Sequence, residues 1–448
     1  MNNLEIAEKA VNLALKNGAS DADAVVVQSL NLSYRQHQGK PENIESSETR
    51  DLGIRVFLSQ KEGSKIALIS TNNLLEKNIE STVEKVIEQA KLSPLDDSYR
   101  LANETEFYKG DDLDLQINCP NSANIDELKN WASEAEETAL SYKGITNTEF
   151  SESAYSKSET TIFTSKKFAK SYFTTGYNIS VSVIAGQGVD MQTDYDYTYK
   201  CNKSDLLSPK NISISACEMA IKKLFPKKIK SAKLPVIFDK KVSKNLLSNF
   251  ISAINGNSIV KNSSFLSDKM GTQIFPKNVN IFDNPLMLRG IGSQPFDAEG
   301  LRGAEIPLVK NGVLENWILD LRSASKLGLI SNGRASRGIN TQPSPSSTNV
   351  YMNGGKINFQ DMLKSVKNGF YVTDVFGMGV NGITGDYSQG ANGFMIENGE
   401  ITYPVAEVTI AGNLLEMFIN LQIADDLELR YSKNAPTILV ENMTIAGS

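Results

Sequence analysis

Residues 380–394 read VNGITGDYSQGANGF, and the kind of element that these glycines lead into decides the fold around them. Just upstream, Gly377, Gly379 and Gly382 in FGMGVNG spell GxGxxG behind an apolar run, Phe370 to Phe376. A dinucleotide site needs such glycines to open a helix, so that the pyrophosphate meets the helix N-terminus. Here they run into ITGDYSQGANGF, which has no helical stripe, and then into GFMIENGEITYPV. In that segment Asn398-Gly399 is a two-residue hairpin turn between alternating strands. The stretch is therefore a glycine-rich turn between strands, with no nucleotide expected. Asp386 is placed to cap the turn and Tyr387 to pack over it.

Outward from this loop the chain divides into three blocks. From Pro235, PVIF is a strand and the next segment a helix with Val242, Leu246, Leu247, Phe250 and Ile254 inward. Asn311-Gly312 marks another hairpin, and Asn413 caps a last helix that has Glu416 three residues on. Residues 233–448 thus form a β-rich antiparallel domain with packed helices. PKKIKSAKLP, residues 226–235, precedes it as a solvated linker. In residues 111–232 a helix carries Leu128, Trp131, Ala135, Ala139 and Tyr142 on one stripe. The period then becomes two, with Tyr177, Ile179, Val181 and Val183, and again with Tyr195, Tyr197 and Tyr199. That is an antiparallel sheet with helices. In residues 1–110 an α/β-type block opens with a helix whose apolar positions are 4, 7, 11, 14 and 15. A hairpin of LGIRVFL and KIALIST comes next, then a helix beginning near Asn73 with Leu75, Ile79, Val83, Val86 and Ala90 inward. The segment from LSPLDD to DDLDL is a polar connector. The fold class is α+β.

Composition narrows function further. A chain of 448 residues exceeds one ordinary core. A net charge of −6 without dense basic blocks argues against nucleic acid, and no apolar run is long enough to span a membrane. The amphipathic start lacks the features of a signal peptide, so a cytoplasmic location is expected. Cys119, Cys201 and Cys217 show no paired spacing. His37 is the single histidine, in a polar stretch, so no motif that needs two histidines is built by this chain.

The residues VTDVFGMGVNGITGDYSQGANGFMIENGEITYPVAEVTIAGNL resemble the C-terminal signature of the TldD/PmbA family, and within it the PmbA branch, also called TldE. FDAEGLRGAEIPLVKNGVLENWILDLRSASKLG resembles the family's other well-marked stretch, and LGIRVFL with GSKIALIST its N-terminal block. The likeness is most specific over 295–328 and 370–415. It implies a fold shared by both branches. It also implies that TldD-type chains carry HExxxH and zinc on a helix of the third domain, whereas PmbA-type chains pair with them in a cytoplasmic metalloprotease cutting flexible peptides. The corresponding helix here, KVSKNLLSNFISAING, contains no His, Glu or Cys. The resemblance therefore implies no metal in this chain and zinc in a TldD-like partner.

These residues are compatible with two classes of function. In the first, the chain is a non-catalytic peptidase subunit whose third domain carries the partner interface, and Asp297, Glu299, Arg302, Asp386 and Tyr387 are candidates for lining a peptide passage. For each of these residues a turn-capping or ion-pairing role is the alternative. In the second, the chain works without such a partner, as a peptide-binding scaffold or as a histidine-free hydrolase drawing carboxylates from FDAEG and TGDYS. Whether the isolated chain forms a homodimer stays open.

Overall fold

The computed structural model describes residues 1–110, 113–377 and 379–447. Asp111 and Asp112 of the connector, Met378 of the FGMGVNG stretch and the last residue, Ser448, lie outside the described residues.

The first two blocks share one six-stranded antiparallel sheet. Strands β1 (Asp21–His37), β2 (Lys40–Gln60) and β3 (Gly63–Thr71) come from the first block, and β4 (Ile145–Thr164), β5 (Ala169–Ala185) and β6 (Gln192–Lys200) from the second. Their order is β3-β2-β1-β4-β5-β6, because β1 pairs with β4 from Asp23 to Gln36 as well as with β2. The β2–β3 hairpin is as expected.

Helices cover this sheet wherever the period-two rows are apolar. Helix α1 (Asn3–Lys16) and helix α2 (Glu76–Leu92) pack on Ala22, Ala24, Val26, Leu52, Ile54 and Val56. The buried side of α1 is Ile6, Ala7, Ala10, Val11 and Ala14, while Leu4 and Leu15, expected inward, are exposed. Small residues win that face because alanine lets the helix sit close against the strands. Helices α3 (Ile125–Ser141) and α4 (Pro209–Lys222) bury Ile179, Val181 and Val183 of β5.

The tyrosine alternation in β6 is inverted relative to a simple apolar row. Asp196 and Thr198 are buried, and Tyr195 and Tyr199 face solvent. Burial of Asp196 is made tolerable by two cations from the third domain, Arg430 and Lys241.

The connector also departs from expectation. Its polar residues carry Leu101, Ala102, Phe107, Tyr108, Leu115 and Ile117 into buried positions. Phe107 stacks on Phe168 at 4.9 Å, and Phe168 and Tyr172 meet Phe296 edge-on. The connector is thus the aromatic glue between the sheet and the third domain.

In the third domain, strand β7 (Ala232–Phe238) pairs in parallel with the strand Asn368–Phe376 and antiparallel with the strand Ile438–Ala446. The strands Asp386–Glu397 and Glu400–Asn413 complete the sheet. Pairing of Thr409–Ala411 with Thr444–Ala446 joins its two sides into a closed ring of five strands. Closure removes the exposed edges that such strands otherwise present. Helix α5 (Lys240–Ala253) comes directly after β7 and buries Val242, Leu246, Leu247 and Phe250. Phe250, Phe275 and Phe418 pack together at its centre, with Phe275 on Phe418 at 4.8 Å.

Both expected asparagine-glycine hairpins are present, with positive φ at Asn311, Gly312, Asn398 and Gly399. The GxGxxG loop connects two antiparallel strands and opens no helix. A Cβ on Gly379 would lie 1.5 Å from the Ser388 carbonyl oxygen. The Ser388 N–H donates back to the Gly379 oxygen at 2.6 Å. Close backbone approach therefore accounts for the glycine at 379.

Candidate functional site

Of the five candidate passage residues, three are buried. Asp297 is 1% exposed, and both its carboxylate oxygens accept backbone N–H bonds, from Glu299, Leu301 and Ala335 at 2.9–3.0 Å. It fixes the FDAEG turn. Glu299 accepts the Leu321 N–H at 2.8 Å, at the start of the short helix Leu321–Leu327. Burial raises the Asp297 carboxyl to about 6. Burial and then the neighbouring Asp297 charge push Glu299 well above its ordinary value. Tyr387 is 2% exposed within the core around Phe250. Arg302 and Asp386 are exposed; Arg302 lies over the Tyr108 ring at 5.9 Å, and Asp386 bonds Thr384 within its own loop. The structure does not gather the five into one site. Arg302 does not pair with Asp297 or Glu299.

Under the FDAEG turn, the sheet and the third domain meet through buried charge. Asp23 on β1 receives Arg55 of β2, with Nε at 3.1 Å, and Arg337 of the third domain, with Nη1 at 2.8 Å. All three are at most 4% exposed at the side chain. Burial alone would raise the Asp23 carboxyl, but the Arg337 and Arg55 guanidiniums hold it below its usual range. Backbone contact is equally tight here. A Cβ on Gly53 of β2 would sit 2.1 Å from the Ile339 oxygen.

A polar cleft lies at the other junction, where β6, the start of α5 and the strand Asn368–Phe376 converge. It encloses ≈ 220 Å³. One wall is a lysine row on α5, where Lys241 and Lys244 are one turn apart. The opposite wall carries Tyr195, Tyr197 and Tyr431, with Tyr197 and Tyr431 ring centres 5.5 Å apart. Almost every charge is paired. Lys223 bridges Asp194 and Asp374, Lys240 meets Glu428, and Asp196 holds Arg430 and Lys241. Asp239 caps α5 by accepting the Lys241 N–H at 2.8 Å and accepts a hydrogen bond from the Tyr371 hydroxyl. Lys244 is the exception. Its Nζ stands 3.6 Å from the centre of the Tyr431 ring and 5.7 Å from that of Tyr197, with no carboxylate partner among the described residues. Burial, then the positive charges of Arg430 and Lys241, lowers its amine to about 8.

Sequence reasoning did not single out this cleft. Its only sequence signal is the tyrosine alternation of DYDYTYK facing a helix with lysines at i and i+3. Tyr431 arrives from a segment with no motif.

His37 ends β1 beside Glu42 and Asn147, with Nδ1 to Glu42 at 3.6 Å. Cys119, Cys201 and Cys217 are free and buried. Among the described residues no group of three or more His, Cys, Asp or Glu side chains is arranged to hold a metal ion. Nor is any described helix long and apolar enough to cross a membrane.

Comparison with known proteins fits this architecture. Models of the PmbA/TldA metallopeptidase domain 1, central domain and C-terminal domain match residues 22–90, 118–224 and 231–447. Metalloprotease PmbA of Escherichia coli O157:H7 is 36% identical over 448 residues, covering 99% of this chain and 96% of that protein. The chain belongs to the PmbA/TldD metallopeptidase family. A Metalloprotease PmbA homolog of Haemophilus influenzae is likewise 36% identical, over 98% of this chain and 95% of the relative.

Solved PmbA/TldD-like structures agree on the fold. A putative modulator of DNA gyrase from Bacteroides thetaiotaomicron superimposes with a TM-score of 0.90 at 27% identity, covering 99% of this chain and 98% of that one. TldE from Thermococcus kodakarensis gives 0.84 at 18% identity over 98% and 99%, a likeness of fold. In family terms the two most specific signature stretches, 295–328 and 370–415, both fall within the C-terminal domain match, and so does α5.

Proposed function

We propose that this chain is the PmbA/TldE-type subunit of a two-chain cytoplasmic metalloprotease. It holds no zinc and supports a TldD-like partner that does, and the pair cleaves flexible peptides. One observation carries the reading. The helix after β7, where resemblance would put the HExxxH of a TldD-type chain, offers Lys240, Lys241, Lys244 and Asn245 to the cleft and no metal ligand. Asp239 instead caps that helix and Lys241 pairs with Asp196, a local chemistry of ion pairs. The third domain supplies the partner interface in this reading, and Arg302 and Asp386 are the candidates left at the surface to border a peptide passage. No observation favours the histidine-free hydrolase. Asp297 commits both carboxylate oxygens to backbone N–H groups, and Asp386 sits in a different, exposed loop.

Co-expression with the TldD-like chain of the same organism tests this. The two chains are expected to co-purify through residues 235–448, and hydrolysis of an unstructured peptide is expected to require both. Hydrolysis is lost when the first histidine of the partner's HExxxH is replaced. Hydrolysis by this chain alone, or capture of the partner by residues 1–110 as well as by the full chain, would overturn the assignment.

A further inference from the structure

We propose that the cleft between β6 and α5 is a carboxylate-binding subsite that takes the free end of a peptide, with Lys244 on the carboxylate and the tyrosine wall against the terminal side chain. The proposal rests on the peptidase reading only for the ligand being a peptide.

One cation in this cleft lacks the anionic partner that its neighbours have. Lys244 is half-buried, and its Nζ rests over the Tyr431 ring with neither hydrogen bond nor carboxylate among the described residues. Arg430 Nη2 is already committed to Asp196 and the Tyr197 carbonyl. A half-buried ammonium gains from a charge-assisted hydrogen bond, and a ligand carboxylate entering the cleft would supply one.

The charge pattern selects the ligand. Asp194, Asp196, Asp239 and Asp374 also line the cleft. They would repel a phosphate dianion, whereas a monoanion is matched by the one uncompensated lysine. The first N–H groups of α5 do not serve as an anion site, because Asp239 already occupies them.

Size and surface point the same way. At ≈ 220 Å³ the cleft is smaller than the roughly 300–1,000 Å³ of sites for drug-sized ligands. It suits one terminal residue. Tyr195 is largely exposed and Tyr197 and Tyr431 are partly so, which offers a ring face to an apolar or aromatic side chain.

The carboxylate could come from either of two sources, a chain terminus or an acidic side chain. Both are tested by titrating the isolated full-length chain with acetyl-Ala-Ala-Phe, its C-terminal amide and acetyl-Ala-Glu-Ala-amide, using calorimetry and ligand-observed NMR. The free acid is expected to bind. The phenylalanine amide is expected to bind at least tenfold more weakly, and Lys244→Gln to weaken the free acid by a similar factor. Lys244→Arg is expected to retain binding, which separates lost charge from lost fold. Stronger binding of acetyl-Ala-Glu-Ala-amide than of the free acid would assign the site to acidic side chains and overturn the terminal assignment. Equal binding of acid and amide, unchanged affinity in Lys244→Gln, or no binding of any probe would overturn the subsite. No partner chain is needed, so failure of the two-chain peptidase would appear in co-purification and leave this result untouched.

Discussion

Asp23→Asn is expected to lower folding stability by about 3–5 kcal/mol, the usual cost of removing one partner from a buried ion pair. Asp23 is the shared acceptor for Arg55 on the sheet and Arg337 in the third domain. Asparagine fills the same space and leaves two guanidiniums buried beside each other. Arg337 is already under-satisfied, since its Nε and Nη2 have no partners among the described residues. The loss concentrates at the junction between sheet and third domain, so early proteolytic nicking of the connector near residues 95–115 should accompany the lower denaturation midpoint. The sign with pH is set by the depressed carboxyl. The wild-type advantage is present above the unfolded value of 3.8 and shrinks as pH falls through the lower folded value. Chemical denaturation of both proteins from pH 3 to 8 measures this. Equal stability at pH 7 would show that the bridge does not hold the two parts together.

Arg334→Met is expected to have a comparable effect for a different reason. Arg334 has no exposed surface and belongs wholly to the third domain. Its Nε bonds Asp283 Oδ2 at 2.8 Å, and its other nitrogens reach the carbonyls of Asp283, Ala304 and Asn332 at 2.6–3.0 Å. Methionine keeps much of the volume but leaves the buried Asp283 carboxylate without its countercharge, bonded only by Thr348, and takes a donor from three carbonyls. About 3–5 kcal/mol is expected from the broken ion pair, read as a lower urea midpoint with an unchanged slope. Adding Asp283→Asn should recover part of the loss, because the orphaned charge is then gone. No recovery would place the damage in packing and not in the charge.

The legible parts of the fold were those where local rules act alone. Asparagine-glycine turns, helix stripes such as Ile79, Val83 and Val86, and the strand–loop–strand reading of the glycine stretch depend on neighbours in sequence. Sequence reasoning set the first two blocks apart as separate domains and did not show that they share a sheet. The β1–β4 pairing joins residues more than 100 positions apart, and nothing in either strand announces the other. The connector was misread because its buried residues, such as Phe107 and Tyr108, are spaced among charges without a period. The tyrosine row of β6 was misread for the same kind of reason, since Asp196 is the buried residue there. Its burial depends on Arg430 and Lys241, which no local pattern ties to it. The candidate passage residues were chosen from a signature stretch. Asp297, Glu299 and Tyr387 prove to be parts of that stretch's own scaffold. The lysine and tyrosine cleft is assembled from five separate segments, so only the folded chain displays it.

The proposed division of labour, with zinc and cleavage in a TldD-like partner and none in this chain, is tested most directly by metal analysis of the chain purified alone, with a peptidase assay on the same sample. The account predicts no stoichiometric zinc after mild chelation and no hydrolysis of a flexible peptide, with both appearing when the partner is added. One tightly held zinc per isolated chain, together with hydrolysis, would contradict it.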